Sequence, residues 1–245
     1  MADLVAGVDG CRAGWVVVLT HSACANGGAA TAEVTVARDF RGVLELTREA
    51  RVVGVDMPIG LLDAAVPGGR ECDRHARRLL GRVRACSVFS PPVRAALIRP
   101  SYRRALSANR ASSVARLGIS IECFNLFPRL REVDEALTAD LTLADRVTEI
   151  HPELSFRALA RSTMGLGEPK RSRRGLSRRV ALLRTVFPRV TRVMKQRVAG
   201  VAPDDVLDAH AVAWSAARVA RDSAVCLPRR PAPRDALGLP MAIWF

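Results

Sequence analysis

The sequence predicts an α/β protein: a mixed β-sheet flanked by helices, with a mostly helical insertion. Three observations carry this. Short apolar runs of strand character are interspersed with longer stretches of helical period. The first three strand-like runs are joined by turns and a small-residue loop, as in an antiparallel meander, whereas the fourth follows a helical stretch, as in a crossover. Two of the strands end in the same tripeptide, Gly-Val-Asp, at Asp9 and Asp56.

Residues 4–9 read as a buried strand, followed by a turn over 10–14. Residues 15–19 form a second strand. A small-residue loop over 23–30 leads to an alternating third strand over 32–36. Asp39 is placed to N-cap a helix running to about Ala50. Residues 52–56 make the fourth strand. From about 70 to 145 the pattern is mostly helical, broken at Ser90-Pro91-Pro92 and Pro100. It reads as an insertion or cap over one end of the sheet. Residues 146–151 suit a fifth strand, ended by Pro152, which in turn suits the first position of a helix over 153–161. Further helices are expected over 176–187 and 204–221. A Pro- and Arg-rich tail over 228–233 leads to an apolar end, 238–245, able to dock on the body. No internal repeat is present.

The 245 residues fit a single domain, 1–245, with the insertion inside it. No apolar run approaches the roughly 20 residues that span a bilayer, so no membrane partner is expected. No basic leader precedes the first apolar run, so the chain reads as cytoplasmic. Six scattered cysteines form no disulfide framework. Cys72-x-x-His75 is the one zinc-like pair, and it lacks a second pair at suitable spacing. The net charge of +14 suits a polyanion, although lysine occurs only at Lys170 and Lys195, and an arginine bias of this kind also arises from base composition. Residues 157–197 hold thirteen basic residues and one acid, and 70–116 hold twelve arginines against two acids. The sequence leaves the oligomeric state open.

The residues able to carry chemistry are mostly acids. A buried strand has little use for a terminal carboxylate unless it faces a site, which singles out Asp9 and Asp56. In the late helix, Asp204 is explained by capping and the helix dipole. Asp208 lies a turn further in among apolar neighbours, and Asp205 shares its face. Glu149 and His151 point to one side of a strand, and Glu153 opens the next helix. Carboxylates converging from separate elements repel one another, and a hard divalent cation, Mg²⁺ or Mn²⁺, is the usual remedy. Asp9, Asp56 and Asp208 are the expected metal ligands, with Asp205, Glu149 and Glu153 as further catalytic candidates. Arg70, Arg77, Arg82 and Arg94, with His151, are the candidates for binding phosphate. No P-loop, GxGxxG or GxSxG motif is present.

These pieces resemble a known family. The run Val5-Ala6-Gly7-Val8-Asp9-Gly10-Cys11-Arg12-Ala13-Gly14-Trp15-Val16-Val17-Val18 is similar to the opening of domain-of-unknown-function family 429, predicted RNase H-like nucleases. So are Asp56-Met57-Pro58-Ile59-Gly60-Leu61, Cys72-Asp73-x-x-Ala76-Arg77, Ser87-Val88-Phe89, Glu132-Val133-Asp134 and Glu149-Ile150-His151-Pro152-Glu153-Leu154-Ser155-Phe156. The likeness continues through Asp205-Val206-Leu207-Asp208-Ala209 and Gly238-Leu239-Pro240-Met241-Ala242-Ile243-Trp244. It implies an RNase H-like sheet, with a strand-1 aspartate at Asp9, an acid after strand 4 at Asp56 and helix acids at Asp205 and Asp208. One departure is Glu122, where the family pattern suggests glutamine.

The leading expectation is therefore a metal-dependent nuclease acting on DNA or RNA, with two ions about 3.5–4 Å apart. An actin-like phosphotransferase or phosphohydrolase on a small molecule keeps the fold and changes the substrate, but the chain is short for two such domains. A non-catalytic nucleic-acid binder is the third reading.

Overall fold

Runs of Val, Leu and Ala put five strands into one sheet, described by a computed structural model over residues 3–26, 30–195 and 198–245. β1 (Leu4–Cys11) and β2 (Gly14–His21) form an antiparallel hairpin with Cys11 opposite Gly14. β3 (Glu33–Ala37) extends the meander on the far side of β2. After α1 (Phe40–Leu46), β4 (Val52–Val55) returns parallel to β1, and β5 (Val147–Glu149) lies parallel to β4. The order β3-β2-β1-β4-β5 agrees with the mixed, RNase H-like sheet that the resemblance implied.

Local chemistry explains most boundaries. The hairpin turn is two residues, Arg12-Ala13, where the sequence suggested five, because Gly10 and Cys11 remain paired with β2. Gly14 holds a φ of +138°, and a Cβ there would lie 2.0 Å from the Ala37 carbonyl oxygen, so the strand can begin only at a glycine. Asp39 caps α1 as expected by accepting from the Gly42 N–H at 2.8 Å. The helix stops at Leu46, short of Ala50, and a turn over 47–50 returns the chain to β4. The loop expected over 23–30 is a 3₁₀ turn, Ser22–Asn26, as far as the described residues go; 27–29 lie outside them.

The middle of the chain is helical, as expected: α2 (Glu71–Arg84), α3 (Arg94–Leu97), α4 (Tyr102–Ala111), α5 (Ile121–Asn125) and α6 (Phe127–Ala139). It is more than a cap over one end. Phe127, Leu130, Val133 and Leu137 of α6 share one core with Val8, Trp15, Val17 and the α1 residues Phe40 and Val43, so α1 and α6 lie on the same side of the sheet. A sheet with apolar side chains on both faces needs two helical layers, and this segment supplies one of them.

The second layer comes from α7 (Pro152–Leu159), α8 (Arg173–Arg184), α9 (Val190–Lys195) and α10 (Pro203–Ala220). α10 lies directly on β1. A Cβ on Gly7 would sit 2.1 Å from the Ala213 nitrogen, and one on Gly54 would sit 2.9 Å from Val212 Cγ1. Gly7 pairs with Gly54 in the sheet, so the repeated Gly-Val-Asp provides a smooth floor against which α10 can rest. The tail docks as expected: β6 (Cys226–Leu227) pairs with β7 (Ile243–Trp244), and Trp244 bridges to Ile150 beside β5. Among the described residues no helix is long and apolar enough to cross a membrane.

Candidate active site

Asp9 lies two residues beyond Gly7, and Asp56 two beyond Gly54, so both carboxylates are on the face that α10 covers. The Asp56 N–H donates to the Val8 carbonyl oxygen at 2.9 Å, which fixes the two strand ends side by side. α10 then brings Asp208 over them, one turn from its start. All three acids line one cleft of about 980 Å³, with Asp205, Glu149 and Glu153 also in its wall.

The cluster is short of positive charge. Burial, with the charges of Asp56 and Asp208, holds the Asp9 carboxyl well above the ordinary carboxylate range. Burial also raises Asp56, which shares a hydrogen bond with Asp9. Asp208 is pushed up to about 7 by burial, with the charges of Asp56 and Glu153 adding and Lys170 opposing. Asp205 is raised by its partial burial. Among the described residues the one cation in direct contact with Asp208 is Lys170, whose Nζ lies 2.7 Å from Asp208 Oδ2 and 3.6 Å from Asp204 Oδ2. Burial alone would lower the Lys170 pKa, but Asp208, Asp9 and Asp56 outweigh it and raise it. Burial and ion pairing thus pull Asp208 in opposite senses. The short contact makes Asp208 the direct partner of the ammonium, while burial holds Asp9 and Asp56 above the ordinary carboxylate range.

The other acids are differently placed. Glu149 accepts from Arg70 Nη2 at 2.7 Å, Arg70 Nη1 at 2.8 Å and the Ile59 N–H at 2.8 Å. Glu153 takes Arg179 Nη2 at 2.5 Å on Oε1, while its buried Oε2 has no partner. Asp205 accepts from the Ala202 N–H at 2.9 Å, tying down the start of α10. Asp204, expected only as a cap, is buried and paired with Arg171 at 3.0 Å. His151 lines the cleft and caps α7: Nδ1 accepts from the Glu153 N–H, so Nε2 is the protonated nitrogen, 3.2 Å from the Ser87 carbonyl oxygen.

The expected phosphate binders need correction. Arg70 is 2% exposed, and its donors are taken by Asp73, Glu149 and the carbonyls of Ile59 and Gly60. Arg77 binds the Val88 and Gly68 carbonyls and Ser90 Oγ, away from the cleft lining. Arg94 is held by Asp134 and Asp235, and Arg82 is exposed on α2; neither lines the cleft. The cations that do line it, besides buried Arg70, are Arg12 in the hairpin turn, Arg129 on α6, and Lys170 and Arg171 before α8. Helix-face spacing shows the Arg70–Asp73 pair, but not the distant partners, Glu149 for Arg70 and Asp134 and Asp235 for Arg94. Lys170 did carry a signal: it is one of two lysines among 38 basic residues. Glu122 is exposed in the first turn of α5 and does not line the cleft. Cys72 is packed in the core and His75 lies beside Glu71, so the zinc-like pair is not assembled.

Tested against a hard divalent ion, the oxygen donors have the right chemistry, and the partnerless Glu153 Oε2 is an acceptor to spare. Their arrangement does not fit as it stands. Among the described residues no three His, Cys, Asp or Glu side chains are placed to hold a metal ion, and Lys170 is on Asp208.

A family model described as "Protein of unknown function (DUF429)" matches residues 7–232, and the chain belongs to that family. No curated protein matches, and no solved structure does.

Proposed function

We propose that this protein is a nuclease that hydrolyses phosphodiester bonds at the Asp9–Asp56–Asp208 cluster. One observation carries the reading: three carboxylates from separate elements meet in a cleft, held at raised pKa, beneath a rim of cations. Structural acids are normally arranged to be satisfied, whereas acids held above their ordinary range suit proton transfer.

The residues divide the work by their environments. Asp9, whose carboxyl is held well above the ordinary range, is suited to protonate a leaving oxygen. Asp56, raised less, is suited to take a proton from the attacking water. Arg12 and Arg171, both exposed, supply charge for the phosphodiester backbone at the mouth, whereas Arg129 is held by Glu132. Mg²⁺ or Mn²⁺ held by Asp9, Asp56 and Asp208 would add Lewis acidity at the scissile phosphate, and requires Lys170 to leave Asp208. The six cysteines are all free thiols, which supports work in a reducing, cytoplasmic setting.

The test is cleavage of a panel of DNA and RNA duplexes, single strands and junctions, with and without Mg²⁺ or Mn²⁺, by wild type and Asp9→Asn. Cleavage lost in Asp9→Asn supports the reading. Binding without cleavage would favour a non-catalytic binder. Neither binding nor cleavage, together with turnover of a small phosphate ester, would favour a phosphohydrolase.

A further inference from the structure

Residues 170–195 hold ten basic residues and no acid, in a chain with 38 basic residues and 24 acids overall. A bias towards arginine adds basic residues but does not remove acids. Elsewhere exposed arginines are matched with acids: Arg41 with Glu45 on α1, Arg48 with Glu49, and Arg51 with Asp3. α8 and α9 turn Leu183, Val190 and their apolar neighbours into the core shared with α10, and their outward side is basic. Arg173, Arg174 and Arg184 of α8, Arg189 before α9, and Arg192 and Lys195 on α9 are exposed. Among the described residues the exposed arginines of this stretch that pair with an acid are Arg171 and Arg178, and those six cations pair with none. Arg173 and Arg174 stand in the first turn of α8, which holds no acid and where the helix dipole disfavours cations. Folding gains nothing from such a face.

We propose that the outer face of α8 and α9 is a docking surface for the backbone of a double-stranded nucleic acid that reaches the acid cleft. The inference rests on the nuclease reading and names its substrate class. Lys170 and Arg171 line the cleft and Ser172 caps α8, so the basic face begins at the cleft wall. α8 is 12 residues long, which at ~1.5 Å per residue is about 18 Å. One strand of a duplex carries a phosphate about every 3.4 Å, so a strand lying along α8 presents about five. Unpaired guanidinium groups suit those phosphates, since each offers two parallel N–H donors. Between its arginines the outer face of α8 shows Ser177, Ala181 and Thr185, and no aromatic side chain. Single strands are held by stacking on aromatic rings. A helix that lies on a membrane needs bulky apolar anchors. This face supplies neither, which leaves the duplex backbone as the partner its charge fits.

The test is fluorescence anisotropy with labelled DNA and RNA duplexes of about 20 base pairs, and with one strand alone, between about 50 and 200 mM salt. The first variant is the triple change Arg173→Ala, Arg174→Ala and Arg184→Ala, at exposed side chains that do not line the cleft. A second triple change, Arg189→Ala, Arg192→Ala and Lys195→Ala, repeats the test on the other helix should the first variant melt early. Wild type should bind a duplex more tightly than the single strand, and the two duplex arms show whether DNA or RNA is preferred. Each triple variant should weaken duplex binding about tenfold or more and flatten its salt slope by about two to three. Affinity and slope equal to wild type in both variants overturn the docking surface. The nuclease reading then still stands if cleavage is lost in Asp9→Asn. Tighter binding of the single strand than of either duplex also overturns the surface. No nucleic-acid binding by wild type overturns the surface and the nuclease reading together, and binding to phosphatidylserine-containing vesicles in that case assigns the face to a membrane.

Discussion

Two acid groups in the wall of one cleft are treated in opposite ways. Glu149 and Asp73 share Arg70, whose guanidinium fork reaches both carboxylates and two backbone carbonyls. Burial still raises Glu149, but both its oxygens are occupied. Asp9, Asp56 and Asp208 share one lysine, which touches only the last of them. An arginine makes a closed structural joint, while a lysine leaves a cluster that still needs protons or cations. The difference separates acids that hold the fold from acids available for chemistry.

The largest expected effect follows directly. Asp9→Asn should lower cleavage on the order of 10²–10⁴-fold while the protein stays folded. Glu149→Gln should do the reverse. Removing one charge of a buried pair costs about 3–5 kcal/mol of stability, with little direct effect on turnover in the protein that remains folded. Cleavage assays beside urea unfolding check both. Should Glu149→Gln abolish cleavage at unchanged stability, the division between the two groups would collapse.

A smaller effect lies in the pH dependence of stability. Asp9, Asp56 and Asp208 have raised folded-state pKa values, so the folded protein binds more protons than the unfolded chain above the ordinary carboxylate pKa. Their contribution is therefore lost as pH rises from about 4, and for Asp208 this runs up to about 7. His210 acts oppositely. Burial lowers its pKa to about 4, so its contribution is lost as pH falls below its ordinary value of 6.5. Asp9→Asn keeps a donor to Asp56 and, unlike Asp9, cannot ionise as pH rises. It should be more stable than wild type at pH 8, with the gain shrinking towards pH 5. Thermal melts across that range would count against the poised cluster if the variant were less stable than wild type at pH 8.

What could be read from the sequence followed from short-range rules. Asp39 as a cap, Pro152 opening a helix and the paired Gly-Val-Asp ends each depend on neighbours within a few residues, or on a repeated pattern. Asp9, Asp56 and Asp208 stood out because a carboxylate among apolar residues is costly wherever the chain goes. The partners were not legible. Arg70 and Glu149 are 79 residues apart, and Lys170 and Asp208 are 38 apart. Spacing along one helix grouped Arg70 with Asp73 and Arg77, and the loop over 87–94 added Arg94, as an exposed set able to bind phosphate; folding buries the Arg70–Asp73 pair on Glu149 and spends Arg77 on loop carbonyls and Arg94 on Asp134 and Asp235. The packing of α6 with α1 over the sheet was hidden for the same reason: its apolar face shows that it is buried, but not against what.

The smallest expected effect concerns the cations themselves and tests whether the comparison extends to arginines. Arg12 and Arg171 line the cleft with exposed side chains, whereas Arg77 is spent on loop carbonyls and Arg82 points away. A phosphate contact contributes to affinity uniformly across sequences, and its loss lowers the salt slope of binding by about one. Arg12→Ala and Arg171→Ala should each flatten that slope by about this amount for a short duplex. Arg82→Ala should leave it unchanged. Arg171 also pairs with Asp204, which leaves Lys170 as the remaining cation on that acid once Arg171 is removed. Equal slopes for Arg12→Ala, Arg82→Ala and wild type would mean that the rim takes no part in backbone contact. The net charge of +14 would then be a property of the whole surface, and the cleft would be left to a smaller phosphate ester.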